Sequence, residues 1–262
     1  LFVLNKSAYY FSFTPVAISL ALFHTLFILL GSILFFPFIT QFAALIARLL
    51  PDKKEDLTPN LDHSLLSVPT LALDTSQRTL IDLTEDILHI HQTLITNSGS
   101  VPLAVIQHNH QVLEKIFDFV TRIPVNTDEK HLNQAQIAQL HAIDHLLRLN
   151  SRQHHFIEDG HEIHPLGFAE GITIALNQLQ LMHAGLKDNA PADWVKKIKA
   201  EAKQLKDVSN SARVSLLQSP SQSTSNRAIL LETDNYRWLE RTAHHIWRIG
   251  HYLEQAQRAQ NH

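Results

Sequence analysis

Residues 236–253 read YRWLERTAHHIWRIGHYL, and their apolar and small side chains recur at alternating intervals of three and four residues. These positions are Tyr236, Leu239, Ala243, Ile246, Gly250 and Leu253. A narrow apolar stripe with this spacing is typical of long helices that pack side by side in a bundle. The stretch therefore predicts an all-α fold for the surrounding part of the chain.

Two earlier segments repeat this apolar seam. The first is formed by Leu73, Leu80, Leu83, Ile87, Ile90 and Leu94. The second is formed by Leu103, Ile106, His110, Leu113, Phe117 and Val120. Because His110 falls within the second seam, we expect it to be a buried, hydrogen-bonded histidine.

Clusters of glycine, proline and small polar residues divide the chain after residue 68 into six segments. They predict helices over about 69–96, 102–122, 128–158, 167–187, 191–218 and 226–260. Because the connections are short, we expect helices that follow one another in the chain to be antiparallel neighbours.

A short internal repeat relates the third predicted helix to the sixth. Residues 144–149 read DHLLRL, and residues 244–249 read HHIWRI, at an offset of 100 residues. Matching third and sixth helices predict that the bundle consists of two three-helix units in tandem.

The first fifty residues have a different character, because no charged residue occurs between Lys6 and Arg48. Pro15 and Pro37 frame an apolar run that is long enough, at about 1.5 Å per helical residue, to cross a bilayer. We predict a membrane segment over 1–50, with a transmembrane helix at about 15–36 and an interfacial helix at about 38–50. A proline-rich linker at 51–68 then leads into the helical domain at 69–262.

The distribution of charged residues predicts the orientation of the span in the membrane and limits the classes of partner. Arg48, Lys53 and Lys54 follow the predicted span, whereas Lys6 alone precedes it, so the positive-inside rule predicts a cytoplasmic C-terminal domain. All 25 acidic residues lie after Arg48, and this acidic balance argues against a nucleic-acid partner. The chain contains no cysteine, which excludes disulfides and thiolate sites. Since it begins at Leu1 and its single methionine is Met182, we expect it to be a fragment.

Two motifs resemble one transporter family. FHTLF at 23–27, followed by Gly31 and LFFPF at 34–38, is similar to the last membrane helix of bacterial sodium/phosphate cotransporters, although Ile28 stands where those proteins usually carry asparagine. LERTAHH at 239–245 is similar to the LERIADH-type motif of the PhoU-like domain that many of these transporters carry at the cytoplasmic C-terminus. The resemblance extends over about 15–50 and 69–260.

The resemblance implies a PhoU-like six-helix domain and a place in the bacterial inner membrane. The chain would supply the last membrane helix and the regulatory domain of a sodium-dependent phosphate transporter. It would lack the transport core, so the remaining membrane helices would be its partners and sodium would serve the parent transporter. A stand-alone membrane-tethered adaptor that signals phosphate status is the alternative. A homo-oligomer or a cytoplasmic regulatory partner fits both interpretations.

The candidate site residues follow from the same resemblance. PhoU-like domains hold metal ions with an acidic residue followed four positions later by an aspartate; here Glu240 matches and His244 replaces the aspartate. A Glu–His pair at this spacing shares one helix face and could still bind a divalent metal, or it could be a surface contact only. Asp144, at the offset of 100 from His244, and Asp82 with Asp86 complete the candidate metal ligands.

His24 and Thr25 are candidates for contact with a transported substrate, because they lie within the predicted span, where polar groups usually face protein or water. The alternative is that a neutral His24 bonds a nearby backbone carbonyl. No nucleophile elbow and no phosphate-cradling glycine loop occurs in the sequence. We therefore expect no catalytic residues and no enzymatic activity.

Overall fold

The computed structural model describes residues 16–36, 61–126, 128–163, 165–187, 189–218 and 226–260. These residues form seven α-helices, one short 3-10 helix at His63–Ser67 and no strand. The helices are α1 Val16–Phe35, α2 Pro69–Thr96, α3 Leu103–Thr121, α4 Lys130–Glu158, α5 Pro165–Gly185, α6 Trp194–Gln218 and α7 Asn226–Gln260. The all-α fold class is confirmed, and the six bundle helices begin and end within three residues of the predicted positions.

The chain divides into two compact units, residues 1–56 and 57–262. The first contains α1, a helix of 20 residues without a charged side chain. Large apolar side chains such as Leu20, Phe27 and Ile33 are exposed on it. Over the residues that the structure describes, no helix is long and apolar enough to cross a membrane, so the predicted span is not confirmed. The predicted interfacial helix lies outside the described residues.

Local sequence signals set the ends of the bundle helices. Pro69 begins α2, where its missing N–H leaves no donor unsatisfied, and Asn97 ends the helix in a left-handed conformation with φ 48°. Gly160 closes α4 with φ 65°, and the N–H of His161 donates to the carbonyl of Phe156 at 3.0 Å. Before α2, the Asp62 carboxylate accepts from the Ser64 N–H at 2.9 Å and caps the 3-10 helix.

The bundle is built from two three-helix groups, α2–α4 and α5–α7, that meet along α4 and α7. Three contacts between these two helices involve residues whose numbers fall along α4 as they rise along α7. The Trp238 indole N–H donates to the Arg152 carbonyl at 3.1 Å, His145 contacts His245, and His141 stacks on Tyr252. Helices α4 and α7 are therefore antiparallel, and the repeated segments cross where His145 meets its repeat partner.

The predicted seams are correct on α2 and α7 and only partly correct on α3, where Ile106, Leu113 and Val120 are buried. Every seam residue of α7 is buried, and on α2 only Leu94 is partly exposed. On α3, His110 and Phe117 face outward, with Phe117 45% exposed, whereas Val112, Ile116 and Phe119 are buried. The error arises because α3 packs against α4 as well as α2, so its buried face is rotated toward Val112, Ile116 and Phe119 and away from His110 and Phe117.

Buried glutamines tie the helices together. Gln139 and Gln153 of α4 donate to the α2 carbonyls of Leu73 and Ile87 at 2.8 and 2.9 Å. Gln178 of α5 donates to the carbonyl of Ala243 on α7 at 2.9 Å. A helical carbonyl has a second lone pair beyond its own helix bond, so each of these amide NH2 groups finds an acceptor without disrupting a helix.

A glycine contact brings α5, α6 and α7 close together. The Trp194 ring at the start of α6 packs directly on Gly185 at the end of α5. It also reaches Gly250 on α7, together with Ile198 and Met182. Any larger side chain at either glycine would overlap this ring.

Candidate functional site

The crossing of α4 and α7 brings together two histidines. The Nδ1 atoms of His145 and His245 lie 3.1 Å apart, which requires one ring to donate and the other to accept. Burial lowers the pKa of His145 to about 4 and that of His245 to about 3. Burial is the largest cause of both shifts; arginine charges contribute to them, and Asp144 opposes the shift of His145, so the pair is neutral at pH 7.

Aromatic and cationic side chains surround this pair. Tyr252 stacks on His145 with ring centroids 5.7 Å apart. The Arg248 guanidinium lies over both Trp247 and Tyr252, at 5.2 and 5.1 Å from the ring centroids. The side chains at the crossing are therefore mostly aromatic, and the guanidinium among them packs on their rings.

An open cleft of about 660 Å³ lies next to the pair, between α6 and α7. One wall is a row of lysines on α6, at positions 196, 199, 203 and 206. The α7 wall carries Glu240, Arg241 and Trp247, and Arg152 of α4 also lines the cleft. We call this the basic cleft, because six of its lining side chains are cations and one is an acid.

Few of these cations have an acidic partner. Glu240 pairs with Arg213, outside the cleft lining, at 3.7 Å, and Lys196 pairs with Asp193 at 3.1 Å. Across the described residues, no carboxylate lies within ion-pair distance of Arg152, Arg241, Lys203 or Lys206. The basic cleft thus presents uncompensated positive charge.

Arg152 is the least solvated of the unpaired cations. Its Nε is buried and has no hydrogen-bond partner. Burial lowers the pKa of this guanidinium, and the charges of Arg241 and Arg148 lower it further. A partly buried guanidinium near other guanidinium groups is less favourable than a solvated one, and a bound anion would compensate the charge.

The structure separates the predicted metal ligands. Glu240 and His244 both line the basic cleft, where Lys206 and Arg248 lower the pKa of His244 after the larger effect of burial. Asp144 instead pairs with Arg148 at 2.9 Å on α4. Asp82 lies on α2 with Asp86, and burial together with neighbouring acidic charge raises the pKa of Asp82.

One other group could hold a metal ion. His154, His155 and Glu158, at the end of α4, each offer a ligand atom, and these atoms lie within 4.8 Å of one another. It is the one such group among the described residues. The predicted divalent metal thus has a possible set of ligands on the bundle, but on residues other than the five candidates.

The two candidate substrate contacts lie on α1. Both are exposed, and the Thr25 hydroxyl donates to the Ala21 carbonyl at 2.8 Å, one turn earlier. This bond satisfies the hydroxyl within its own helix. His24 and Thr25 therefore stay predictions.

Sequence reasoning missed the basic cleft, although one signal was present. Lysines at 196, 199, 203 and 206 recur at intervals of three, four and three, which places them on one face of a helix. The contribution of Arg152 was not visible, because α4 and α6 are separated in the chain by all of α5.

No protein-family model, curated protein or solved structure matches the chain. The resemblance to sodium/phosphate cotransporters rests on the residues quoted above.

Proposed function

We propose that the chain is the C-terminal part of a bacterial sodium-dependent phosphate transporter, a membrane segment followed by a PhoU-like regulatory domain. The observation that carries this proposal is the contact between the two copies of the internal repeat, at His145 and His245. A bundle of two similar three-helix units is the architecture that the LERTAHH motif implies, and the repeated segments lie where the two three-helix groups meet.

The amino-acid sequence supports the membrane part of the proposal. Residues 7–47 contain no charged side chain, whereas acidic and basic residues are frequent from Arg48 onward. An apolar segment of this length is costly to expose to water. In this proposal, the segment joins the remaining helices of the transporter in the inner membrane, and the bundle lies in the cytoplasm.

The bundle regulates transport in this proposal and does not perform it. Transporter sites for polar substrates form between several broken membrane helices. The polar groups that converge in the described residues lie in the bundle, at the basic cleft, and not on α1. A regulatory domain that responds to an anion would use such a surface.

The coding region upstream of Leu1 provides the first test. Further spans with paired glutamine- and serine-rich motifs would support the transporter, whereas a start codon directly upstream would support the tethered adaptor.

The second test removes the bundle from the complete reading frame. Cells that express the frame with and without residues 61–262 are grown at low and high phosphate, and sodium-driven uptake of labelled phosphate is measured. We expect uptake to persist without the bundle and to lose its dependence on phosphate supply. Absence of sodium-dependent uptake from the complete frame would refute the proposal.

A further inference from the structure

We propose that the basic cleft binds a small soluble molecule that carries a chain of two or more phosphate groups. This inference rests on the cleft alone, and it holds whether or not the chain belongs to a transporter. The argument depends on the recessed arginine, the span of the lysine row and the shape of the cleft.

The recessed arginine distinguishes the cleft from an ordinary solvated lysine surface. Exposed lysines are stable without partners because water and salt screen them. Arg152, in contrast, holds a buried Nε without an acceptor, and the charge of Arg241 is near enough to lower the pKa of Arg152. A planar guanidinium donates two parallel hydrogen bonds to a phosphate, which would satisfy both its charge and its donors.

A buried histidine offers a further polar group at the same place. His245 is only 8% exposed and lines the cleft. Its Nδ1 contacts His145, and no contact in the described residues engages its Nε2. Depending on the tautomer, this nitrogen could donate to a phosphate oxygen.

The span of the cations favours several phosphates over one. Lys199 and Lys206 are seven residues apart on α6, which is about 10 Å along a helix, and Lys196 already pairs with Asp193. A single phosphate could contact Arg152 and one or two lysines, and would leave the rest of the row unneutralised. A chain of phosphates would neutralise more of the row, and a volume of about 660 Å³ is in the range of small-molecule sites.

The shape of the cleft favours a soluble ligand over a lipid surface. Arg152 belongs to α4 and is half-buried, whereas the four lysines of α6 are exposed. A planar layer of lipid headgroups would contact the exposed lysines more readily than a half-buried guanidinium. Binding that depends on Arg152 is therefore the property that separates the two ligands.

The test is calorimetric titration of the full chain in neutral-lipid nanodiscs with sodium tripolyphosphate, orthophosphate and sulfate, at constant ionic strength. We expect tripolyphosphate to bind at least tenfold more tightly than the other two anions, and its affinity to fall as salt is raised. Arg152→Gln should weaken tripolyphosphate binding by tenfold or more, because a charge-assisted hydrogen bond is lost. Lys203→Gln with Lys206→Gln should weaken it as well.

Lys197→Gln is the matched control, since Lys197 lies on the same helix, carries the same charge and does not line the cleft. We expect it to change the affinity by less than twofold. Arg152→Gln should also keep or raise the melting temperature of the ligand-free chain, because it removes an uncompensated charge. A residue with only a structural role would lower that temperature.

Several outcomes would overturn the proposal. They are the absence of tripolyphosphate binding at millimolar concentration, equal affinity for orthophosphate, and an equal loss in Lys197→Gln and Arg152→Gln. Arg152-dependent binding to phosphatidylserine nanodiscs without tripolyphosphate binding would assign the cleft to a lipid surface instead.

Discussion

At the scale of single residues, the bundle holds several imidazoles in surroundings that oppose their protonation. His91 is buried beside Trp238, with ring centroids 4.9 Å apart, and burial lowers its pKa to about 3. His145 and His245 share one short contact and have pKa values lowered to about 4 and about 3. Protonation of both rings at the crossing of α4 and α7 would place two like charges in contact.

These histidines predict a loss of stability in mild acid. In the unfolded chain, a histidine takes up a proton near pH 6.5, whereas these three remain neutral in the folded bundle until far lower pH. The unfolded state therefore binds more protons between about pH 6.5 and 4, and the free energy of unfolding should fall as pH falls through that range. Urea titrations of the chain at intervals from pH 7.5 to 5 measure this slope.

Replacement of one histidine tests whether the buried histidines cause this dependence of the free energy of unfolding on pH. His245→Asn should reduce the slope between pH 7 and 5, because it removes one group that protonates only on unfolding. Replacement of the exposed His155 by asparagine is the control for the loss of an imidazole elsewhere on the bundle. An unchanged slope in His245→Asn would contradict the neutral histidine pair.

At the scale of the elements, Gly250 permits the contact of α5, α6 and α7. A Cβ at this position would lie 2.5 Å from Cδ1 of Ile198 and 2.9 Å from both the Met182 sulfur and the Trp194 ring. Gly250→Ala should therefore lower the free energy of unfolding by about 1–3 kcal/mol, although alanine favours helix formation by about 1 kcal/mol. Chemical denaturation at pH 7.5 measures the change.

Gly171→Ala is the control for that substitution, because both glycines lie within helices. Its Cβ would meet Leu205 and Leu239 at 3.5 and 3.6 Å, which is ordinary contact. We expect Gly171→Ala to be neutral or to stabilise the bundle by up to about 1 kcal/mol. If both variants destabilise equally, the close approach at Gly250 is not the cause.

The buried face of α3 predicts that two neighbouring residues contribute very differently to stability. Ile116 is fully buried and Phe117 is 45% exposed. Ile116→Ala should cost about 2–5 kcal/mol, whereas Phe117→Ala should cost much less despite the larger side chain removed. If Phe117→Ala lowers the denaturation midpoint more than Ile116→Ala does, the heptad seam predicted from the sequence is correct after all.

The same truncation should be costly at Leu83, Leu113 and Leu239, which are at most 1% exposed. Each changed to alanine should cost about 2–5 kcal/mol, and Leu217→Ala on the exposed face of α6 should cost little. Retention of the wild-type midpoint in all three variants would contradict the helix faces.

Helix existence and helix ends were predictable from the sequence, because local signals determine both. Pro69, Asn97 and Gly160 act within one turn of where they stand. The face of α3 was not predictable to the residue, since two neighbouring helices determine it. The lysine row of the basic cleft could have been predicted from its spacing, but the contribution of Arg152 could not, because Arg152 joins the cleft only when α4 packs on α7.

At the scale of the whole molecule, the charge asymmetry predicts topology. Arg48, Lys53 and Lys54 follow the apolar segment and Lys6 precedes it, so the C-terminal end should be cytoplasmic. An alkaline phosphatase fusion after His262 should be inactive in cells, and a fluorescent-protein fusion at the same position should be bright. Active alkaline phosphatase would refute the orientation.

The chain on its own should not transport phosphate. A polar substrate needs a lined cavity, and α1 offers few polar side chains, such as His24 and Thr25. Liposomes that contain the purified chain should take up no more labelled phosphate under a sodium gradient than empty vesicles. Saturable uptake that is abolished by His24→Ala would make the chain a transporter by itself.

The two three-helix groups are each continuous in the chain, and one short connection after Gly160 joins them. That connection acts as a tether, which gives each group an effective concentration of the other in the millimolar range or above. Cleavage there would leave the contacts of α4 with α7 intact but make assembly a bimolecular event. Fragments 61–160 and 165–260 would then reassemble to an extent that depends on their concentration. The dissociation constant of that reassembly would measure the affinity between the two three-helix groups.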